Sequence, residues 1–182
     1  MRAQNKRAPF QVLVLPYRHG RNGLRYAILR RKANTGGYWQ FIAGGGHVGE
    51  SRIQAARREA IEEAGISRRA RLVRLDARAM LPVEHVYGFR WGPDVFVIPE
   101  FCFGVQILDA EIRLSREHTE FRWVSYQSAM RQLHWDSNRT ALWELDLRLR
   151  RELDRATVET GRPHLRGRRK TGSTSKRVTG RK

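Results

Sequence analysis

The chain predicts a mixed domain of strands and helices, α/β in the broad sense and α+β in the grouping of its elements. Three observations lead there. Short apolar runs rich in β-branched and aromatic residues occur over residues 10–42 and 71–124, separated by turn signals. A helical pattern lies between those blocks, just after Gly44-Gly45-Gly46. A longer one follows, from about Asn138 to Thr157.

In order, Phe10–Tyr17 reads as a strand and Arg18–Gly23 as a turn by its Gly and Asn content. Leu24–Arg31 is a second strand, so the pair forms a hairpin. Ala33–Gly37 is a loop. Tyr38–Ile42 is a short strand entering a glycine loop at 44–46. A helix then runs from Ser51 to Ala64, with Ser51 as N-cap and Gly65 as C-cap. Its expected apolar stripe is Ile53, Ala56, Ala60, Ile61 and Ala64. Arg71–Met80, Val95–Ile107 and Phe121–Val124 are further strands, and Tyr126–Leu133 is a short helix. Val83–Pro93 carries no pattern that would choose a substrate.

A length of 182 residues suits one domain. The longest apolar runs, Val95–Pro99 and Phe101–Ile107, are far too short to cross a bilayer, so no membrane partner is expected. A single cysteine, Cys102, excludes an intrachain disulfide framework and a cysteine zinc cluster. With no signal-peptide pattern at Met1–Arg7, the expected location is cytoplasmic. Charge is the unusual feature. Lys and Arg number 36 against 18 acidic residues, a net +18. Residues 161–182 hold nine basic residues and no acidic one, half of that excess. The expected organisation is a domain over 1–160 and a basic, disordered tail over 161–182. Such a tail is a solvated appendage or an arm for RNA or DNA.

The chemistry is concentrated between Gly44 and Ile66. On a helix, Glu59, Glu62 and Glu63 share a face, and three like charges there repel. A hard cation would remove that repulsion. Mg²⁺ takes oxygen ligands and bridges to substrate phosphates. The preceding glycines permit close backbone approach, with carbonyls toward a metal and amides, Gly45's among them, toward phosphate. The plainer reading is a solvated acidic face with Arg57 and Arg58 as helix partners.

The full spacing resembles the Nudix box: Gly, five residues, Glu, seven residues, Arg-Glu, a hydrophobic residue, any residue, Glu-Glu, any residue, Gly, a hydrophobic residue. Gly44, Glu50, Arg58, Glu59, Glu62, Glu63, Gly65 and Ile66 occupy the required places. Ala60 is small where a larger aliphatic residue is usual. The resemblance implies an αβα sandwich around a mixed sheet, and Mg²⁺-dependent hydrolysis (Mn²⁺ as a substitute) of a nucleoside diphosphate linked to another group. It implies Glu59 and Glu63 as main metal ligands, Glu62 as a further one, and the Gly44 carbonyl beside them. Arg58 would hold Glu59 in place, with Glu50 in support.

Three further pieces are similar to the bacterial dihydroneopterin triphosphate and dATP pyrophosphohydrolase branch: Tyr38-Trp39-Gln40, Glu117-His118 before Phe121-Arg122-Trp123, and Trp135-Asp136-Ser137-Asn138-Arg139. That likeness implies Glu117 as an extra metal ligand. Its local alternative is a surface residue paired with Arg116 or Arg122. Trp39 would stack on a base or pterin ring or belong to the core. Ser137 or Asn138 also suits an ordinary N-cap. Arg31, at the end of a basic strand, would meet phosphate or stay solvated. Gly44–His47 departs from the acidic loop associated with that branch.

The expected substrate is therefore a nucleoside or pterin triphosphate, cleaved to monophosphate and pyrophosphate. One alternative is an enzyme of RNA 5′ ends or dinucleoside polyphosphates, with the basic tail touching RNA. Ile42, standing where that branch has proline, counts against it. Another is a non-catalytic RNA-binding protein of the same fold, which would have no need of clustered glutamates.

Overall fold

The computed structural model describes residues 7–86, 88–108 and 112–160. The chain divides into two compact units, Met1–Leu149 and Arg150–Lys182. The first carries the sheet and every residue discussed below. The second is helical over its described residues. The expected tail, 161–182, lies outside the described residues.

Strands β1 (Arg7–Gly20) and β2 (Gly23–Arg31) form the predicted hairpin. β3 (Trp39–Gln40), β4 (Ile42–His47), β5 (Leu72–Pro82), β6 (Val97–Gln106) and β7 (His118–Val124) complete the sheet among the described residues. Its order is β3-β2-β1-β6-β5, with β4 also on β1 and β7 also on β2. β1 and β6 pair in parallel and the other pairs are antiparallel, so the sheet is mixed. The α-helices among the described residues are α1 (Arg52–Ala64), α2 (Val83–Val86), α3 (Tyr126–Gln132) and α4 (Asp136–Thr160), with one 3₁₀ turn at Ala33–Thr35.

β1 explains the layering. Its side chains alternate between the two faces. Val12 and Val14 join α1's alanines in one buried cluster. Leu13 and Leu15 join Ala141, Leu142 and Leu145 of α4 in another. With both faces covered, the first unit is the expected αβα sandwich.

Several expectations are corrected. Tyr38–Ile42 is not one strand, and the glycines are not a loop. Phe41 leaves the ladder because its N–H donates to Asn138 Oδ1 at 2.8 Å. The strand resumes as β4, which carries the glycines, with Gly44 opposite Val12 and Gly45 opposite Gln11. Asn138 thus holds the β3–β4 junction, and it and Ser137 lie inside α4 instead of capping it. α2 is a single turn, too short to leave a periodic signal.

α1 begins where expected. Ser51 accepts from the Gln54 N–H, and the Gln54 side chain accepts from the Ser51 N–H at 2.8 Å, a capping box. Gly65 ends the helix at φ +64°, a left-handed conformation that glycine adopts at little cost. Its buried face differs from the prediction. Ile53 and Ile61 are exposed, while Ala55, Ala56, Ala60 and Ala64 are buried together with Glu59 and Glu63. Small side chains bring the helix close to the sheet, and that closeness buries the two carboxylates. The small residue at position 60 fits this packing.

Candidate active site

Gly44 and Glu59 meet where α1 crosses β4. A Cβ at position 44 would land on the Glu59 carboxylate, so the carboxylate would have to move away from β4. Gly44→Ala is expected to displace Glu59 and weaken divalent-metal binding by about 10–100-fold, with the far-UV spectrum retained. Calorimetric titration with Mn²⁺ checks this, and unchanged affinity would remove Glu59 from the ligand set.

Arg58 ties the acidic residues together. Its Nε and Nη2 donate to the two oxygens of Glu50, each at 3.0 Å, in a side-on pair. Nη1 donates to Glu59 Oε1 at 2.6 Å and to Glu62 Oε2 at 3.1 Å. Nη2 also donates to the Gly45 carbonyl at 2.9 Å. Burial disfavours the Arg58 charge, yet Glu50 and Glu59 outweigh it and raise its pKa. For Glu50, burial is likewise outweighed, by Arg58 and the His47 amide, and its pKa falls. Arg57 does not serve the acidic face, since it donates to the carbonyl oxygens of Arg68 and Ala70.

Glu59 and Glu63 are 6% and 4% exposed. Burial is the main influence on Glu59 and raises its pKa against the pull of Arg58. At Glu63 burial dominates again, and the Glu59 and Glu117 charges push the pKa further, well above 4.5. Glu63 Oε2 has no hydrogen-bond partner among the described residues. His118 Nε2 lies 3.7 Å from it. Burial, with Arg31 adding to it, pulls the His118 pKa down to about 4, so the ring is neutral at pH 7 and this contact is no ion pair. Glu62, by contrast, is exposed and faces a wide cleft of about 520 Å³ with His47, Gln54 and Arg57. The three box glutamates therefore do not share one environment.

An unpartnered, buried carboxylate oxygen is costly unless something compensates it. An oxygen-only donor set beside a glycine backbone suits a hard divalent cation. Among the described residues no three His, Cys, Asp or Glu side chains form a ready-made cage. Mg²⁺ does not need one, because waters and substrate phosphates complete its coordination around one or two carboxylates. The residues present fit the ion.

A cavity of about 200 Å³ adjoins Gly44. Arg31 and Glu117 line it, joined by an Nη1 to Oε2 ion pair of 2.6 Å. Glu117 thus pairs with neither Arg116 nor Arg122, and Arg122 takes Glu120 instead. Trp39 is not a lining residue. It packs against the α4-side core, with the Arg122 guanidinium 4.7 Å from its ring centre. Its neighbour Tyr38 lines the cavity with Trp135. Gly45 stands outside the lining, its carbonyl held by Arg58 and by Arg7 Nη1 at 2.7 Å. Sequence reasoning missed Arg7, Gln11 and Glu100 at this site. Glu100 had a signal, a lone acid between two apolar runs, whereas Arg7 and Gln11 had none.

A sandwich that sets buried glutamates of one helix against a glycine strand is a scaffold for an oxygen-ligated cation. Residues 10–144 match the family model described as the NUDIX domain, and the chain belongs to the Nudix family. Nudix hydrolases generally use divalent metals such as Mg²⁺. Among solved structures, one described as a NUDIX hydrolase of Listeria monocytogenes is 39% identical. Its TM-score is 0.73, over 80% of this chain and 97% of that one. The Escherichia coli dihydroneopterin triphosphate pyrophosphohydrolase shares the fold at 24% identity and a TM-score of 0.61, over 76% of this chain and 95% of its own. An RNA pyrophosphohydrolase of Edwardsiella ictaluri is 36% identical over 52% of this chain. The asymmetrical bis(5′-nucleosyl)-tetraphosphatase of Sus scrofa is 35% identical over 54%. The matches span 59% and 65% of the length of those two relatives.

Proposed function

We propose that the domain is a pyrophosphohydrolase for a nucleoside or pterin triphosphate, of the dATP or dihydroneopterin triphosphate type, releasing monophosphate and pyrophosphate. The observation that carries it is the buried Glu59–Glu63 pair, one oxygen unpartnered, beside a small aromatic-walled cavity. Glu59, Glu63 and the Gly44 carbonyl would hold Mg²⁺ or Mn²⁺, with Glu62 and Glu117 as further ligands. When bound, the ion neutralises the diphosphate and makes water more acidic. Arg58 fixes the Glu59 carboxylate through its 2.6 Å bond and anchors itself on Glu50. A carboxylate of this set takes the proton of the attacking water. Arg31 stands at the cavity wall, where its charge can meet phosphate.

A second reading, hydrolysis at RNA 5′ ends or of dinucleoside polyphosphates, is favoured by the names of the two relatives above and by the net charge of +18. Among the described residues no helix is long and apolar enough to cross a membrane. A cytoplasmic setting completes the proposal, resting on the single, buried Cys102.

The test is incubation with Mg²⁺ and dihydroneopterin triphosphate, the dNTPs, diadenosine polyphosphates and 5′-triphosphate RNA, with Glu63→Gln as control. Dominant pyrophosphate release from the pterin or a dNTP upholds the first reading. Preference for RNA or the dinucleotides replaces it with the second.

A further inference from the structure

The cavity contains a carboxyl group that the proposed hydrolysis leaves unused. Glu100 on β6 is 2% exposed and lines it. Gln11 Nε2 donates to its Oε1 at 3.0 Å. Oε2 is buried without a hydrogen-bond partner among the described residues. Nothing in the packing of β6 requires an acid here, since its neighbours Phe101, Cys102 and Phe103 are core residues. The walls are flat and aromatic: Tyr38 and Trp135 meet edge to face at 5.4 Å, and His85 lies 6.2 Å from Trp135. All three line the cavity, whose volume admits a planar bicyclic ring and little more.

We propose that Glu100 determines ring specificity by accepting the paired N–H and NH₂ donors of a 2-amino-4-oxopyrimidine edge, as carried by guanine and by pterins. An ionised carboxylate only accepts hydrogen bonds, and its two oxygens match two parallel donors. Adenine and cytosine each present a ring-nitrogen acceptor beside their amino group, which would face a carboxylate oxygen. Uracil and thymine offer one donor flanked by two acceptors. Only the guanine-type edge supplies two adjacent donors. Burial raises the Glu100 pKa, with Ser137 and Gln11 opposing. A bound donor pair would favour the charged form further. The inference rests on the hydrolase reading for what the ring is attached to, and it narrows that reading from the dATP type to the pterin or guanine type.

The experiment measures binding without metal, by calorimetry, of GMP, IMP, AMP and neopterin to the full chain. Wild type should bind GMP and neopterin about tenfold or more tighter than AMP, and IMP, lacking the 2-amino group, about tenfold weaker than GMP. Glu100→Gln should weaken GMP and neopterin by about tenfold or more while AMP is unchanged or improved. A carboxamide offers one donor and one acceptor, the complement of adenine. Equal wild-type binding of GMP, IMP and AMP would overturn the proposal without recourse to a variant. Parallel loss of every ring in a folded Glu100→Gln protein would also overturn it, by making Glu100 structural. The GMP to neopterin ratio separates a nucleotide from a pterin ligand. Ring preference with no turnover under any divalent metal would sink the hydrolase reading alone.

Discussion

Glu63→Gln should sharply reduce turnover and yet stabilise the metal-free protein. Glu63 is buried beside Glu59 and within reach of the Glu117 charge, which holds its pKa well above 4.5. The folded protein therefore keeps a proton that the unfolded chain has released. Below pH 4.5 both states are protonated and the Glu63 contribution to stability is complete. As pH rises through the raised folded pKa, that contribution is lost. Glutamine reproduces the protonated form at every pH. Metal-free Glu63→Gln should gain about 1–3 kcal/mol over wild type at pH 8, a Tm rise of several degrees, and show a flatter pH profile. Mg²⁺ should raise the Tm of wild type much more than that of the variant. Turnover should fall by about a thousandfold. A variant less stable than wild type at pH 8, or one still stabilised fully by Mg²⁺, would take Glu63 out of the metal site.

Arg58→Ala should be the most destabilising single change at the site. The guanidinium bonds Glu50, Glu59, Glu62 and the Gly45 carbonyl, and its side chain is only 19% exposed. Removing it leaves Glu50 and Glu59 as poorly compensated charges, a loss of about 3–5 kcal/mol by urea unfolding. Arg58→Lys keeps the charge but not the fork that grips both Glu50 oxygens, so it should fall between. A loss under about 1 kcal/mol in the alanine variant would reduce the network to ordinary surface pairing.

Local chemistry made much of this legible in the sequence. Ser51, Gln54 and Gly65 mark the ends of α1 through groups within a few residues of each other, and both ends fall where expected. The box spacing pointed to Gly44, Glu50, Arg58 and the glutamates for the same reason, because one strand, the short turn after it and one helix carry them all. What could not be read depends on distant partners. The exposure of Ile53 and Ile61 follows from how closely an alanine face approaches the sheet. The break at Phe41 depends on Asn138, and the pairing of Arg31 depends on Glu117. Trp39 and Tyr38 are adjacent and both aromatic, and only the strand register decides which one reaches the cavity.

The Asn138 to Phe41 bond spans 97 residues, and the Gln11 to Glu100 bond spans 89. The Glu59–Gly44 contact, in contrast, closes within one strand-helix unit. Contacts between distant segments slow folding, and loop closure must precede their reward. The carboxylate half of the site can therefore assemble early in refolding, from its own stretch of chain. The cavity must wait for α4 to land on the sheet and for Asn138 to seize Phe41. During refolding, the capacity to hold a cation should appear before the capacity to choose a substrate.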